Sequence, residues 1–190
     1  MDVQDIKDRI GEAARDFANA RGRSARHIAI GVAIAAAAVA ASALIARRDR
    51  PLDPELTYDD SDDEALAAHG FKPPRAAFSM IWPPLFMALT LSGLRIWNAP
   101  RSPARTQALT LWGVVQALNV TWMALGPRRL GGQLATAVAS LGTSAAYAWR
   151  ARQVDAPAAG MVAPYVGWIG FANVLSEELW RRGAPKPTIH

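Results

Sequence analysis

The sequence predicts an all-α membrane protein, a bundle of five transmembrane helices, and three observations lead there. Hydrophobic residues make up 51% of the 190-residue chain, and they are gathered into runs rather than dispersed. Arg residues collect at the ends of those runs, where long cationic side chains reach phosphate headgroups. Trp, Asn, Gln and paired prolines interrupt the runs. Such residues are poor choices for a helix that only has to dissolve in lipid, so they predict an aromatic interior lined with polar groups.

Residues 1–26 form an N-terminal extension. Val3, Ile6, Ile10, Ala14 and Phe17 recur there at helical spacing, while Asp5, Lys7, Asp8, Arg9, Glu12 and Arg15 take the other positions. A short amphipathic helix follows from this pattern, lying either on the membrane surface beside the first span or free in solvent. The first span is 27–47. Its charge-free core, Ile28 to Ala46, is about 28 Å long as a helix, against a hydrocarbon thickness of roughly 30 Å. Ala41-Ser-Ala43 resembles a signal-peptide cleavage site, but the long leader and the cluster Arg47, Arg48 and Arg50 read as a retained, stop-transfer helix. Gly31 and Ala35 have the spacing of closely packed helices.

A long acidic loop, 48–75, comes next. Its run Asp59-Asp-Ser-Asp-Asp-Glu64 lacks the glycine and spacing of an EF-hand loop and reads as a solvated charge run. The remaining spans are 76–97, 106–126, 129–151 and 160–182, followed by a tail at 183–190. Their connections, 98–105, Pro127-Arg-Arg and Arg150 to Ala159, are short, which makes successive helices antiparallel neighbours. The 21 Lys and Arg divide almost evenly between the two sides, so the orientation in the membrane stays open.

Three blocks carry the chemistry. Phe71, Pro73, Pro74, Phe78 and Trp82 lead into the second span, where the proline pair holds the loop extended before the helix begins. A second pair, Pro83-Pro84, predicts a kink inside that span. On the third span Trp112, Gln116 and Asn119 fall within about 60° of one another at 100° per residue, with Trp122 at the edge of that face. Amides in hydrocarbon need partners, so these residues serve either helix cohesion or a pocket. On the fifth span Tyr165, Trp168, Ala172 and Ser176 form a stripe flanked by Phe171 and Leu175. Pro164 stands near its start, where a missing N–H costs little. Asn173 is a further polar residue of this helix, and Glu177 and Glu178 lie a turn from Arg181 and Arg182.

Trp97, Trp149 and Trp180 sit at span ends, where indoles favour headgroup depth. Leu141, Tyr147 and Arg150 meet the loose spacing of a cholesterol motif, a degenerate pattern of little weight. Several function classes drop out. The formal charge of +5 comes without a groove-reading motif, which excludes nucleic acid as a partner. The chain has no Cys, and His27, His69 and His190 are scattered, so no catalytic residue, haem-ligand pair or metal site is nominated. Phosphate loops are absent too.

Taken in this order, Phe71-Lys-Pro-Pro-Arg-Ala-Ala-Phe-Ser-Met-Ile-Trp82, Gln116-Ala-Leu-Asn119-Val-Thr-Trp122 and Pro164-Tyr-Val-Gly-Trp168-Ile-Gly-Phe171-Ala resemble the TspO/MBR family of tryptophan-rich sensory and translocator proteins. The resemblance covers roughly Phe71 to Arg182. It implies a five-helix bundle with a ligand pocket closed by the loop before Ala76. The ligand-binding set it implies is Phe71, Pro73, Pro74, Phe78, Trp82, Gln116, Asn119, Trp122, Pro164, Tyr165, Trp168, Phe171, Ala172 and Ser176. The implied ligand is a tetrapyrrole such as protoporphyrin or haem, or another flat hydrophobic molecule such as a sterol, with no cofactor required. Binding for transport, sensing or regulation is the first expectation. A porphyrin-degrading enzyme and a ligand-free structural member are the alternatives.

Two departures bear on that choice. Ala76 stands where the family commonly has Trp, which weakens the enzyme reading, and Ser176 replaces the usual Asn. Lys72 or Arg75 at the pocket mouth would pair with porphyrin propionates. The family also implies a homodimer, which the small residues Ala135 and Ala139 permit, and the Ala/Arg-rich composition points to a bacterial cell membrane.

Overall fold

The computed structural model describes the backbone of residues 2–48, 75–125 and 130–183, and within these the side chains of residues 2–41, 44, 80–125 and 131–174. Among the described residues there are six helices and no strand: α1 (Val3–Phe17), α2 (Ala25–Arg48), α3 (Arg75–Asn98), α4 (Pro103–Leu125), α5 (Leu130–Val154) and α6 (Ala156–Gly183). The acidic loop, the Pro73-Pro74 segment, Pro127-Arg-Arg and the tail lie outside the described residues.

Helix starts follow local capping chemistry. Ser24 caps α2 by accepting from His27 N–H at 3.3 Å, and Ser102 caps α4 by accepting from Arg105 N–H at 3.1 Å. Pro103 occupies the first position of α4, where its lost donor has no partner to miss. The cap and the proline together start this helix ahead of the predicted Thr106. Inside α3 the helix runs on through Pro83 and Pro84, whose exposed rings face away from the bundle. Neither can donate a backbone bond, so the carbonyls of Ser79 and Met80 lose their donors four residues on.

The connection expected at Arg150 to Ala159 is corrected by the structure. Helices α5 and α6 run through that segment and leave only Asp155 between them. Asp155 explains the elbow. Its carboxylate caps the new helix by accepting from Ala158 N–H at 3.4 Å, so the chain turns within one residue.

Helix α5 packs antiparallel between α4 and α6, α6 packs on α3, and α2 covers α3 and α4. The core runs along the bundle through Leu85, Leu89 and Ile96 of α3, Ala108 and Val115 of α4, Tyr147 and Ala151 of α5, and Val162, Tyr165 and Ile169 of α6. Two glycines permit close approach. A Cβ on Gly31 would stand 2.6 Å from the Trp97 ring, so the α2 surface must be bare there for α3 to pack. A Cβ on Gly93 would stand 2.4 Å from Trp112 Nε1. The space left by Gly93 admits the Trp112 indole, which donates to the Leu89 carbonyl at 3.0 Å.

Helix α4 is long and apolar enough to cross a membrane by length and composition, the one such helix among the described residues; α2 adds a shorter apolar stretch, Ala25–Ala41. Helices α3 to α6 carry buried polar side chains: Ser92 and Asn98 in α3, Asn119 in α4, Thr136, Ser140 and Ser144 in α5, and Asn173 in α6. Near the end where α3 and α5 finish, the Ser92 hydroxyl lies 2.7 Å from Tyr147 Oη and donates to the Ala158 carbonyl at 2.7 Å. Tyr147 is fully buried by this arrangement and points inward, away from any sterol-facing surface.

Candidate functional site

A cavity of about 190 Å³ opens between α3, α4, α5 and α6, toward the end of the bundle where α3 begins and α4 ends. Its aromatic wall comes from Trp82 and Phe86 of α3 and Trp122 of α4, completed by Met123. Helix periodicity places the first two. Trp82 and Phe86 are four residues apart and share a face, with stacked rings 5.4 Å between centroids. Trp82 also meets Trp122 at 6.4 Å and Trp168 edge-on at 6.3 Å, so one indole joins three helices. Phe171 backs Trp168 at 5.5 Å.

The polar wall is built from Asn119, Ser140 and Asn173, with Ala137, Ile169 and Ala172 filling between them. Tyr165, fully buried, organises it from behind. Its hydroxyl donates to Asn119 Oδ1 at 2.6 Å and lies 3.4 Å from the Ser140 hydroxyl, tying α4, α5 and α6 together. Asn173 donates through Nδ2 to the carbonyls of Ile169, at 2.8 Å, and Ala137, at 3.2 Å.

These bonds leave two buried polar atoms unpaired in the wall, Asn119 Nδ2 and Asn173 Oδ1. A buried polar atom without a partner costs roughly 1–3 kcal/mol. The site therefore offers one donor and one acceptor, already desolvated, beside aromatic faces. That combination suits a flat, largely apolar molecule with a few polar atoms at its edge.

The structure brings together Trp82, Asn119, Trp122 and Ala172 of the sequence-predicted set in the cavity wall, with Tyr165, Trp168 and Phe171 directly behind it. Gln116 is half-buried and stands outside the wall, and Pro164 is exposed. Trp112 belongs to the α3–α4 packing instead. Phe71, Pro73 and Pro74, with Lys72, lie outside the described residues, as do the side chains of Arg75, Ala76, Phe78 and Ser176.

Sequence reasoning passed over Phe86, Met123, Ala137, Ser140 and Ile169, and noted Asn173 only as a polar residue. A signal existed for two of these. Thr136, Ser140 and Ser144 repeat every four residues on α5, marking its inward stripe, and Asn173 stands alone in an apolar run. The others are ordinary apolar residues, and only their neighbours reveal them.

An all-helical bundle with an aromatic, amide-bearing cavity defines a class of helical ligand-pocket proteins. The chain belongs to the TspO/MBR family, a family of membrane proteins, which it matches over residues 29–181. It is 33% identical over 113 residues to the translocator protein of Bos taurus, covering 57% of this chain and 67% of the relative. Against the translocator protein of Sus scrofa it is 32% identical over 132 residues, covering 65% of this chain and 78% of the relative. The tryptophan-rich sensory protein of Cereibacter sphaeroides is 28% identical over 138 residues, covering 72% of this chain and 82% of that protein.

Proposed function

We propose that this chain is an integral membrane protein with five spans, α2 to α6, that binds a tetrapyrrole or a similar flat hydrophobic molecule for transport, sensing or regulation. The span count is supported by length. Helices α2 to α6 have 23 to 28 residues each, enough at about 1.5 Å per residue to exceed a hydrocarbon core of roughly 30 Å. Exposed Val32, Met87, Val114, Val138 and Val174 give each of the five an apolar outward side.

The observation that carries the ligand reading is the cavity wall, with Trp82, Phe86 and Trp122 beside the unpaired Asn119 Nδ2 and Asn173 Oδ1. Aromatic faces stack on a planar ring system, and the amides meet its polar edge. At about 190 Å³ the cavity is smaller than the roughly 300–1,000 Å³ of pockets that engulf a ligand. A tetrapyrrole therefore inserts one edge and leaves the rest toward the open end of the bundle, or displaces an indole. The names of the relatives, translocator and sensory protein, favour binding and movement over chemistry.

Titrating the detergent-purified protein with protoporphyrin IX while following Trp fluorescence tests this. Saturable quenching, weakened in Asn119→Leu, supports a defined pocket. Linear quenching that ignores the substitution means the porphyrin only partitions into the micelle. Illuminating the complex separates the enzyme alternative: Soret absorbance lost faster in the native protein than in Trp82→Phe would assign indole-assisted degradation. We carry two further expectations as part of the same proposal, residence in a bacterial cell membrane and homodimerisation. Ala135 and Ala139 are exposed on α5, where a second copy could approach closely, and cross-linking in membranes tests that contact.

A further inference from the structure

Helix α1 buries none of its residues, yet it is sharply two-faced. Val3, Ile6, Ile10 and Phe17 are 66%, 39%, 64% and 53% exposed, and at 100° per residue they fall within an arc of about 60°. Lys7 and Arg9 flank that arc, one on each side. The acids Asp5, Asp8, Glu12 and Asp16 lie on the far side of the helix. Two contacts steady the polar side, Gln4 Nε2 donating to Asp8 at 3.3 Å and Arg9 meeting Asp5 at 3.7 Å.

The root of α1 is tied down at one height. Arg95, in the last turn of α3, donates through Nη1 to the carbonyls of Asp16, at 3.2 Å, and Phe17, while Asn98 Nδ2 donates to the Ala18 carbonyl at 2.8 Å. Arg23 returns the tie by donating to the Asn98 carbonyl at 2.6 Å. Between α1 and α2 the chain turns through left-handed conformations at Asn19, φ 52°, and Gly22, φ 71°. The C-terminal end of α1 is thus fixed on Arg95 and Asn98 at the end of α3, which is headgroup depth in the five-span reading.

We propose that α1 is an interfacial helix that lays its Val3–Ile6–Ile10–Phe17 face on the phospholipid surface, with Lys7 and Arg9 reaching phosphates at its flanks. The inference rests on the five-span reading. Two features select lipid over a protein partner. Lys7 and Arg9 flank the apolar arc, while the four acids, with Arg15 among them, point away from it, the side an anionic surface leaves to water. The anchored root holds the C-terminal end of the helix at that depth.

The chain has no Cys, so single-cysteine variants of the full protein can be spin-labelled cleanly. Labels at Ile10→Cys, Glu12→Cys and Val114→Cys, reconstituted in phosphatidylcholine/phosphatidylglycerol vesicles, would be compared by accessibility to oxygen and to a water-soluble nickel chelate. The expected result is an oxygen-rich, nickel-poor signal at Ile10 and Val114 and the reverse at Glu12, a change of sign in the depth parameter across α1. Nickel access at Ile10 with Val114 in lipid overturns the interfacial helix alone. Nickel access at Val114, on the outward side of α4, overturns the span reading itself. Dipolar broadening between Ile10 labels that disappears on dilution with unlabelled protein would assign the face to a second copy and overturn the lipid assignment.

Discussion

The two ends of the bundle solve the problem of polar groups among apolar helices in opposite ways. At the end where α3 finishes, a dense set of hydrogen bonds and one ion pair leaves Asn98 Oδ1 unpaired, away from the cavity. Arg95 and Asp155 form a two-pronged ion pair, Nε to Oδ2 at 3.0 Å and Nη2 to Oδ1 at 3.1 Å, with side chains only 11% and 5% exposed. Trp97 stacks on His27 at 5.2 Å and donates to the His27 carbonyl at 3.2 Å, while Arg105 lies over its ring and donates to its carbonyl at 2.6 Å. At the end where α3 begins, Asn119 and Asn173 each keep a polar atom in reserve beside a void. The first end holds the fold, and the second leaves a donor and an acceptor that the proposed ligand would satisfy.

The largest effect should come from breaking the tied end. Asp155→Ala strands a buried guanidinium and removes the cap of α6, and loss of one partner of a buried pair costs on the order of 3–5 kcal/mol. Thermal unfolding in detergent would read it, and the double variant Arg95→Met/Asp155→Leu should be more stable than the single one because no charge is left unpaired. Gly93→Ala comes next. Its methyl group meets the Trp112 indole and forces the α3–α4 contact apart, for about 1–3 kcal/mol by the same measurement.

Substitutions at the open end should reverse the order of the readouts. Asn119→Leu gives up the bond from Tyr165, an interhelical contact worth about 0.6–2 kcal/mol, but also removes an unpaired donor, so stability falls little while porphyrin affinity drops roughly tenfold, the equivalent of about 1.4 kcal/mol. The smallest change is expected for Trp122→Phe, whose side chain is 40% exposed: unfolding shifts by less than about 0.5 kcal/mol, and titration shows a few-fold loss of affinity with reduced quenching. A large stability loss at Asn119, or none at Asp155, would erase the distinction between the ends.

Trp97 shows where reading the chain alone falls short. Its position at a span end predicts a headgroup anchor, and in the structure it is half-buried between His27 and Arg105, whereas Trp149, read the same way, is 64% exposed. Sequence position is equivalent for the two indoles. What differs is that α2 crosses one of them, with Gly31 opening the space, and no helix among the described residues covers the other. Gln116 and Asn119 divide similarly: both sit on one face of α4, but only Asn119 meets Tyr165 and the cavity.

Hydrophobic runs, flanking arginines and the aromatic-amide blocks determined from the sequence alone that the chain is helical and which family it belongs to. These are consequences of local periodicity and short-range hydrogen bonding, which neighbouring residues carry in full. Only the tertiary structure decided that Asp155 turns the chain in one residue while pairing with Arg95 sixty positions earlier. It alone decided which polar atoms find partners and which stay open in the cavity. Such pairings join residues far apart in the chain, and their energy depends on geometry and burial that exist only after the helices have packed.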